Sequence, residues 1–238
     1  MLKIPGLFIT GTDTGVGKTV VTAALARQWC NDGVKVGAYK PACSGAVEGE
    51  SGPIWEDAET LWNAIGGRFE RDRICPQCFA AAVAPPVAAC MEGRLVDAGL
   101  LRRGAQWWED QCEFLLVEGV GGLLCPLTEN ETVADLAVDL ALPLIIVARA
   151  GLGTINHCLL TIEAAQARRL NIAGVVLNEA TPVDDDVSVA TNAAEIARRS
   201  GVPVWPFAFS PGLARGENAS DKSALDITRV VAARSGAL

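Results

Sequence analysis

Short apolar runs alternate along this chain with longer segments in which apolar and polar positions recur at helical spacing. This alternation is typical of a parallel sheet covered by helices. Several of the short runs are apolar on both faces, as expected for strands buried inside such a sheet. We therefore predict a three-layer α/β fold with a mostly parallel central sheet, whose strands lie near residues 6–10, 34–40, 113–119, 143–150, 171–178 and 202–205.

The segments between these strands predict helices that end at ordinary stop signals. Gly33 follows the first helix, Gly66 and Gly67 follow the second, and Gly201 follows the fifth. Residues 75–90 contain three prolines and many alanines, which predicts a connecting loop with a short helix. The predicted helices span residues 18–31, 55–65, 94–111, 154–169, 186–200 and 220–234.

The first predicted strand enters the stretch "GTDTGVGKT", which places a glycine-rich loop before a helix. In this context backbone N–H groups and the helix N-terminus surround a phosphate, while the lysine reaches the terminal phosphates and the threonine completes a Mg²⁺ shell. The usual motif would place a glycine at Thr12, but here the glycine stands one position earlier. Nucleotide contacts are expected from Gly11, Thr12, Asp13, Thr14, Gly15, Val16, Gly17, Lys18, Thr19 and Val20.

Composition limits the classes of partner. The formal charge of −8 argues against a protein that mainly binds nucleic acid. No apolar run approaches the roughly 20 residues needed to cross a bilayer, and the first residues lack the features of a secretory signal. We therefore expect a soluble, cytoplasmic protein. Cys75 and Cys78 form a C-x-x-C pair without a second pair to complete a zinc site, so we interpret them as buried or half-buried thiols.

Charged residues follow two further predicted strands. Ligands of open parallel sheets bind at the carboxyl ends of the strands, so these residues should share an edge with the glycine-rich loop. Lys40 and Ser44 follow the second strand, and Glu118 ends the third. A carboxylate leaving a buried strand needs a cation, which favours magnesium. Asp57 is a second candidate ligand for magnesium. Alternatively, it is only one of the acidic residues that are common in the first turn of a helix.

Five motifs in a fixed order carry a resemblance to a known family. They are "GTDTGVGKT", "YKPACSG", "VEGVGG", "GLGTINHCLLT" and "LNEATP", and they lie between residue 7 and about residue 182. Together they resemble the dethiobiotin synthetases of the P-loop NTPase superfamily. That family has the displaced first glycine seen at Gly11, and the resemblance implies one P-loop synthetase domain over residues 1–238.

The resemblance implies a homodimer that uses ATP and Mg²⁺ to close a cyclic urea. Carbon dioxide would add to one amine of 7,8-diaminononanoate, ATP would phosphorylate the carbamate, and the other amine would displace phosphate to give dethiobiotin, ADP and phosphate. By matching motif positions, Thr14 and Lys18 would bind phosphates, while Lys40 and Ser44 would meet the carbamate and the diamine. The magnesium ligands would be Thr19, Asp57 and Glu118.

Two further segments have roles implied by the resemblance. The turn and helix start at Gly151, Leu152, Gly153, Thr154 and Asn156 would come from the other subunit and bind the carboxylate of the diamine. Alternatively, Thr154 simply caps this helix.

Asn178 would hydrogen-bond adenine, or it caps the turn that follows. At Pro206 and Phe209 the chain departs from the family pattern, which leaves the preferred nucleotide base open.

Three alternatives remain open at this point. A partitioning or positioning ATPase would use the same loop, but such proteins usually carry an extra lysine where this chain has Thr12 and Asp13. A synthetase or amidotransferase acting on another amine or carboxylate is the nearest rival, although 238 residues leave no room for a glutaminase domain. A non-catalytic P-loop relative would bind nucleotide without turnover.

Overall fold

The computed structural model describes residues 1–50, 52–180 and 186–209. The strands are β1 (Gly6–Gly11), β2 (Val36–Tyr39), β3 (Cys43–Ser44), β4 (Val47–Gly49), β5 (Gly52–Ile54), β6 (Cys78–Phe79), β7 (Phe114–Gly122), β8 (Leu144–Arg149), β9 (Ile172–Asn178) and β10 (Val204–Phe207). The α-helices are α1 (Lys18–Asn31), α2 (Glu56–Ala64), α3 (Arg71–Ile74), α4 (Pro85–Met91), α5 (Ala98–Trp107), α6 (Val133–Leu140), α7 (Thr154–Ala167) and α8 (Val189–Ser200).

Six strands form one sheet in the order β10-β9-β8-β1-β7-β2, and every neighbouring pair is parallel. Helices pack in pairs beside it, α1 with α2, α5 with α6 and α7 with α8. The predicted fold class and all six predicted strands are therefore confirmed, with strand ends shifted by a few residues.

The register of the sheet brings the third predicted strand to the glycine-rich loop. Within the central strand β1, Ile9 pairs with Glu118 of β7, and Gly11 pairs with Val147 of β8. The loop after β1 consequently leaves the middle of the sheet, with Glu118 beside it.

Three points of the helix prediction need correction. The short helix α3 was not predicted. Helix α6 was missed; Thr132 and Asp135 form a reciprocal capping box at its start. The helix expected over residues 94–111 begins only at Ala98, because the Asp97 side chain accepts a hydrogen bond from Leu100 N and caps it there. A 3₁₀ turn over Trp108–Asp110 follows it. The helix predicted over residues 220–234 lies outside the described residues.

The segment over residues 75–90 contains the expected short helix, α4, and also an unexpected strand, β6, which pairs in parallel with β3. Backbone bonds join the two chain segments from Lys40 N to Ile74 O (2.7 Å) and from Cys43 N to Gln77 O (2.9 Å). This pairing fixes the path of the chain that carries Lys40 and Ser44.

The core lies on both sides of the sheet. Leu116, Ile146 and Val176, one from each of three strands, are fully buried. In the described part of the chain, no helix is long and apolar enough to cross a membrane.

Candidate active site

The glycine-rich loop occupies residues 11–17, between β1 and α1, and closes on itself. Lys18 Nζ donates to Asp13 O at 3.0 Å, and Thr14 N donates to Asp13 Oδ1 at 2.7 Å. Gly17 stands at the N-cap of α1 with φ 95°, and no side-chain hydrogen bond caps the helix. The first N–H groups of α1 are therefore free to bind an anion.

The position of the first glycine has a steric reason. A Cβ atom at Gly11 would lie 2.7 Å from Asp13 O and 3.0 Å from Lys18 Nζ. The chain therefore needs a glycine at residue 11 because the loop and the lysine side chain fold back over it.

Asn178 braces the same loop from the end of β9. Its Nδ2 donates to Val16 O at 3.0 Å, and the residue is buried. A Cβ atom at Gly17 would lie only 1.9 Å from this Nδ2 atom. The side-chain amide nitrogen of Asn178 thus contacts the phosphate loop, a position that neither of the two sequence interpretations anticipated.

A buried cluster of charges lies beside the loop. Lys40 Nζ is 2.6 Å from both Glu118 Oε1 and Asp57 Oδ2. Thr19 Oγ1 is 2.8 Å from Asp57 Oδ1 and 2.8 Å from Glu118 Oε1. Lys40 and Glu118 are almost fully buried, whereas Asp57 is partly exposed. The structure therefore brings together four of the residues that the sequence singled out.

These contacts keep Lys40 and Asp57 ionised. Burial by itself lowers the pKa of Lys40, but Glu118 and Asp57 outweigh that effect and raise it above its ordinary value. Burial by itself raises the pKa of Asp57, but Lys40, Thr19 and Lys18 together outweigh it and lower the pKa of this carboxyl below its ordinary value. The pKa of Lys18 is lowered, first by burial and then by the charge of Lys40. Lys40 as an ammonium and Asp57 as a carboxylate consequently form a charged pair at neutral pH.

A cavity of about 600 Å³ opens over the loop and this cluster. Of the predicted residues it is lined by Thr14, Gly15, Gly17, Lys18, Thr19, Val20, Lys40, Ser44, Asp57 and Asn178. Gly11, Thr12, Asp13, Val16 and Glu118 do not line it. The cavity is large enough for a ligand of nucleotide size.

Sequence reasoning missed several residues at this site. Cys43, Gly121, Cys125 and Phe207 also line the cavity. Cys43 and Gly121 stand within two of the five motifs but were not singled out, whereas Cys125 and Phe207 lie outside them. Arg149, at the end of β8, donates from its Nη2 to Thr14 O at 3.3 Å. Its position as the last residue of a buried strand could have indicated a site residue, because that strand ends at the same edge of the sheet as the glycine-rich loop.

The turn before α7 lies away from the cavity. Gly153 occupies the N-cap of α7 with φ 91°, no side-chain hydrogen bond caps this helix, and Thr154 is its first residue, with Oγ1 3.6 Å from Cys158 Sγ. The interpretation of Thr154 as a helix cap is therefore wrong. Leu152 is 88% exposed and Asn156 is exposed as well. Within one chain, residues Gly151 to Asn156 do not line the cavity that holds Lys40 and Ser44.

The donor set beside the loop fits a magnesium ion. Glu118 Oε2 is buried and has no hydrogen-bond partner among the described residues, so the carboxylate has an oxygen left to coordinate a cation. In that part of the chain no group of three or more His, Cys, Asp or Glu side chains is arranged around a metal position. Two carboxylates and one hydroxyl suffice for Mg²⁺, which usually keeps several waters and binds substrate phosphates.

A parallel sheet with a phosphate loop at its central strand, followed by Lys18 and Thr19, defines a P-loop nucleotide-binding protein. A family model described as "AAA domain" matches residues 5–205. The chain is 50% identical over 211 residues to the ATP-dependent dethiobiotin synthetase BioD of Anaeromyxobacter dehalogenans (strain 2CP-C), covering 88% of this chain and 92% of that protein. It is 52% identical over 196 residues to the protein of the same description from Anaeromyxobacter sp. (strain Fw109-5), covering 82% and 86%. The chain belongs to the family of ATP-dependent dethiobiotin synthetases.

A more distant likeness concerns the fold alone. A chain of the MinC:MinD cell division protein complex of Aquifex aeolicus superposes with a TM-score of 0.60 at 14% identity, covering 94% of each chain. The α/β architecture is thus shared with proteins outside the synthetase family, and the resemblance of the sequence motifs to dethiobiotin synthetases is confirmed separately by the identity of the relatives.

Proposed function

We propose that this chain is an ATP-dependent dethiobiotin synthetase. It joins carbon dioxide to 7,8-diaminononanoate and closes a cyclic urea, giving dethiobiotin, ADP and phosphate. The observation that carries the proposal is the 50% identity to a dethiobiotin synthetase over 88% of the chain. The cavity supports it, because it joins a phosphate loop to a second ammonium group at Lys40.

ATP binds with its phosphates on the loop. The backbone N–H groups from Gly15 to Val20 and the N-terminus of α1 surround the phosphate oxygens, and Lys18 Nζ reaches the terminal phosphates from the cavity wall. Thr14 contacts the γ-phosphate side of the loop. Gly11, Thr12, Asp13 and Val16 maintain the shape of the loop, and Asn178 does so from the cavity wall.

Mg²⁺ is held by Thr19, Asp57 and Glu118. When bound, it neutralises charge on the phosphate oxygens. Asp57 and Glu118 are already 2.6 Å from the Lys40 ammonium, so cationic charge is favoured at this place in the cavity.

Ring closure proceeds in three chemical steps. One amine of the substrate forms a bond to the carbon of carbon dioxide and loses a proton, giving a carbamate anion. A carbamate oxygen attacks the γ-phosphorus, and ADP leaves. The second amine then attacks the carbamate carbon, and phosphate leaves with the former carbamate oxygen.

Lys18 and Lys40 lower the barrier of the phosphoryl transfer, because a carbamate anion and a triphosphate repel each other unless cations lie between them. Ser44 lies on the same wall of the cavity and orients the carbamate or the amine by a hydrogen bond. These roles of Lys18, Lys40 and Ser44 complete the catalytic part of the proposal.

A homodimer completes the site. Gly151, Leu152, Gly153, Thr154 and Asn156 do not line the cavity of their own chain that holds Lys40. Leu152, Gly153 and Asn156 are exposed, and N–H groups at a helix N-terminus suit a carboxylate. We assign this segment to the neighbouring subunit's cavity, where it binds the carboxylate of the diamine. A cytoplasmic location and a single domain over residues 1–238 stay predictions from the sequence.

An omission assay tests the proposed function. Purified protein is incubated with 7,8-diaminononanoate, bicarbonate, Mg²⁺ and ATP, and the product is identified by mass. Dethiobiotin is expected only when all four components are present. Absence of dethiobiotin in the complete mixture, from folded protein that binds ATP, would overturn the proposal.

A further inference from the structure

The turn that precedes α7 is held from α8 by two polar side chains. Asn192 Nδ2 donates to Ala150 O at 2.7 Å and lies 3.3 Å from Gly151 O. On the other side of the turn, Leu152 N donates to Asp186 Oδ2 at 2.9 Å. Both partners belong to α8 or the residues just before it.

These contacts fix one peptide group at both of its ends. In a trans peptide the carbonyl and the N–H point in opposite directions. The Gly151 carbonyl faces Asn192, and the following N–H, of Leu152, faces Asp186. Rotation of this peptide would break both bonds, so the direction in which the chain enters α7 is fixed.

Asn192 and Asp186 make few hydrogen bonds to described residues other than those to the turn. Asn192 is 2% exposed, and a buried amide is unfavourable unless it is hydrogen-bonded. Apart from Ser188 Oγ at 3.2 Å, its bonds in the described part of the chain go to the turn. Asp186 also accepts from Ser188 N at 2.9 Å, and the hydrogen bonds from Ser188 lower the pKa of its carboxyl group. Asp186 therefore stays ionised and anchored to the start of α8.

The turn has little apolar anchoring of its own. The side chain of Leu152 is 88% exposed, and the two residues beside it in the turn, Gly151 and Gly153, have no side chain to bury. The turn is therefore held in place by hydrogen bonds from Asn192 and Asp186, and not by the burial of an apolar side chain.

We infer that Asn192, together with Asp186, is a positioning residue for the carboxylate of the diamine. The N–H of Thr154, the first residue of α7, itself donates to Gly151 O at 3.3 Å. By fixing the Gly151–Leu152 peptide, Asn192 directs the remaining N–H groups in the first turn of α7, and the side chain of Asn156, towards the carboxylate. This inference rests on the proposed function, in which this segment receives the substrate carboxylate. It adds two residues that do not touch the substrate themselves.

The test compares two substrates in the Asn192→Ala variant. One is 7,8-diaminononanoate, and the other is a vicinal alkyl diamine of similar length without the carboxylate. Wild-type protein should prefer the first in kcat/KM. In Asn192→Ala this preference should fall about tenfold, because the loss of positioning affects only the substrate with a carboxylate, whereas the KM for ATP should change less than about twofold.

Two further variants keep the result interpretable. Asn171→Ala removes an exposed asparagine side chain before β9 and should leave the preference unchanged. If Asn192→Ala fails to fold, Asp186→Ala serves instead, because this half-buried side chain leaves no buried group unpaired. It should lower the preference by about threefold, as expected for one partly exposed hydrogen bond.

The outcomes separate the two proposals. A wild-type protein that makes no dethiobiotin would contradict the proposed function itself. A wild-type protein that makes dethiobiotin, with variants that lose activity equally on both diamines or not at all, would overturn the positioning role alone.

Discussion

Two glycine-rich connections in this protein share one local design. The first joins β1 to α1 and the second joins the neighbouring strand β8 to α7. Each ends at a glycine N-cap with positive φ, 95° at Gly17 and 91° at Gly153, and in neither does a side-chain hydrogen bond cap the helix. Both therefore present free N–H groups of the kind that bind anions.

The two connections differ in what holds them and in what they face. The first is held by its own contact of Lys18 with Asp13 and by side chains from the ends of β8 and β9, and it lines a cavity within the chain. The second is held from outside by Asp186 and Asn192, and it lies on the surface. The same backbone geometry thus borders a cavity in one case and lies at the surface in the other, which agrees with the proposed roles of a phosphate site and a site for the neighbouring subunit's substrate.

The largest expected effect comes from the residue at which the two connections differ most. Lys18 is the first residue of α1, and Thr154 occupies the same place in α7. Lys18→Ala should lower kcat for dethiobiotin formation on the order of 10³-fold, because a preorganised charge at the phosphates is lost. Binding of the diamine, measured by calorimetry, should be retained. A variant with near-normal kcat would show that Lys18 is not the residue that separates the function of the first connection from that of the second.

The next largest effect is expected from Lys40→Ala, and it concerns the stability of the protein at the first connection. The lysine is buried between two carboxylates, so its loss leaves Glu118 buried without its ammonium partner and should lower stability by about 3 kcal/mol. Mg²⁺ should raise the Tm of this variant more than that of the wild type, because the metal replaces the missing charge. Equal shifts in thermal denaturation would contradict the assigned magnesium ligands.

A matched pair of glycine substitutions compares the connections directly. At Gly17 an added Cβ would meet Asn178 Nδ2 at 1.9 Å, whereas at Gly153 no atom of the described residues lies within 4 Å. Gly17→Ala should therefore weaken ATP binding by more than about 30-fold, or about 2 kcal/mol. Gly153→Ala should cost about 1 kcal/mol of backbone strain and leave ATP affinity unchanged. Similar ATP dissociation constants for the two variants would refute the steric account of the phosphate loop.

The smallest effect on catalysis is expected from Asn156→Ala, which tests the role of the connection before α7. We expect the KM for the diamine to rise about tenfold, through the loss of one hydrogen bond to a charged group, with the KM for ATP unchanged. Steady-state kinetics with each substrate varied in turn measures both values. A change confined to the KM for ATP would place the turn at the nucleotide instead.

The fold was predictable from the sequence because its strands are short apolar runs that differ clearly from the helices around them. The missed helix α6 shows the limit of that signal. Six of its eight residues, all but Asp135 and Asp139, are apolar, which hides the helical period. The capping pair Thr132 and Asp135 was the available clue.

The site was predictable only in part, since motifs name residues without saying what they touch. Lys40, Asp57 and Glu118 were each singled out, but their mutual contacts join positions 17 and 78 residues apart. The contact between Asn178 and Val16 spans 162 residues and depends on the strand order. Asn192 lies in the interior of an amphipathic helix, where no sequence motif marks it.

The most direct measurement is the ratio of phosphate released to dethiobiotin formed, with and without the diamine. One phosphate is expected for each dethiobiotin, and almost none when the diamine is left out, because the carbamate is the group that accepts the phosphoryl group. Phosphate released at the same rate without the diamine would show that the loop serves ATP hydrolysis alone, and it would contradict the assignment of this site to carbamate activation.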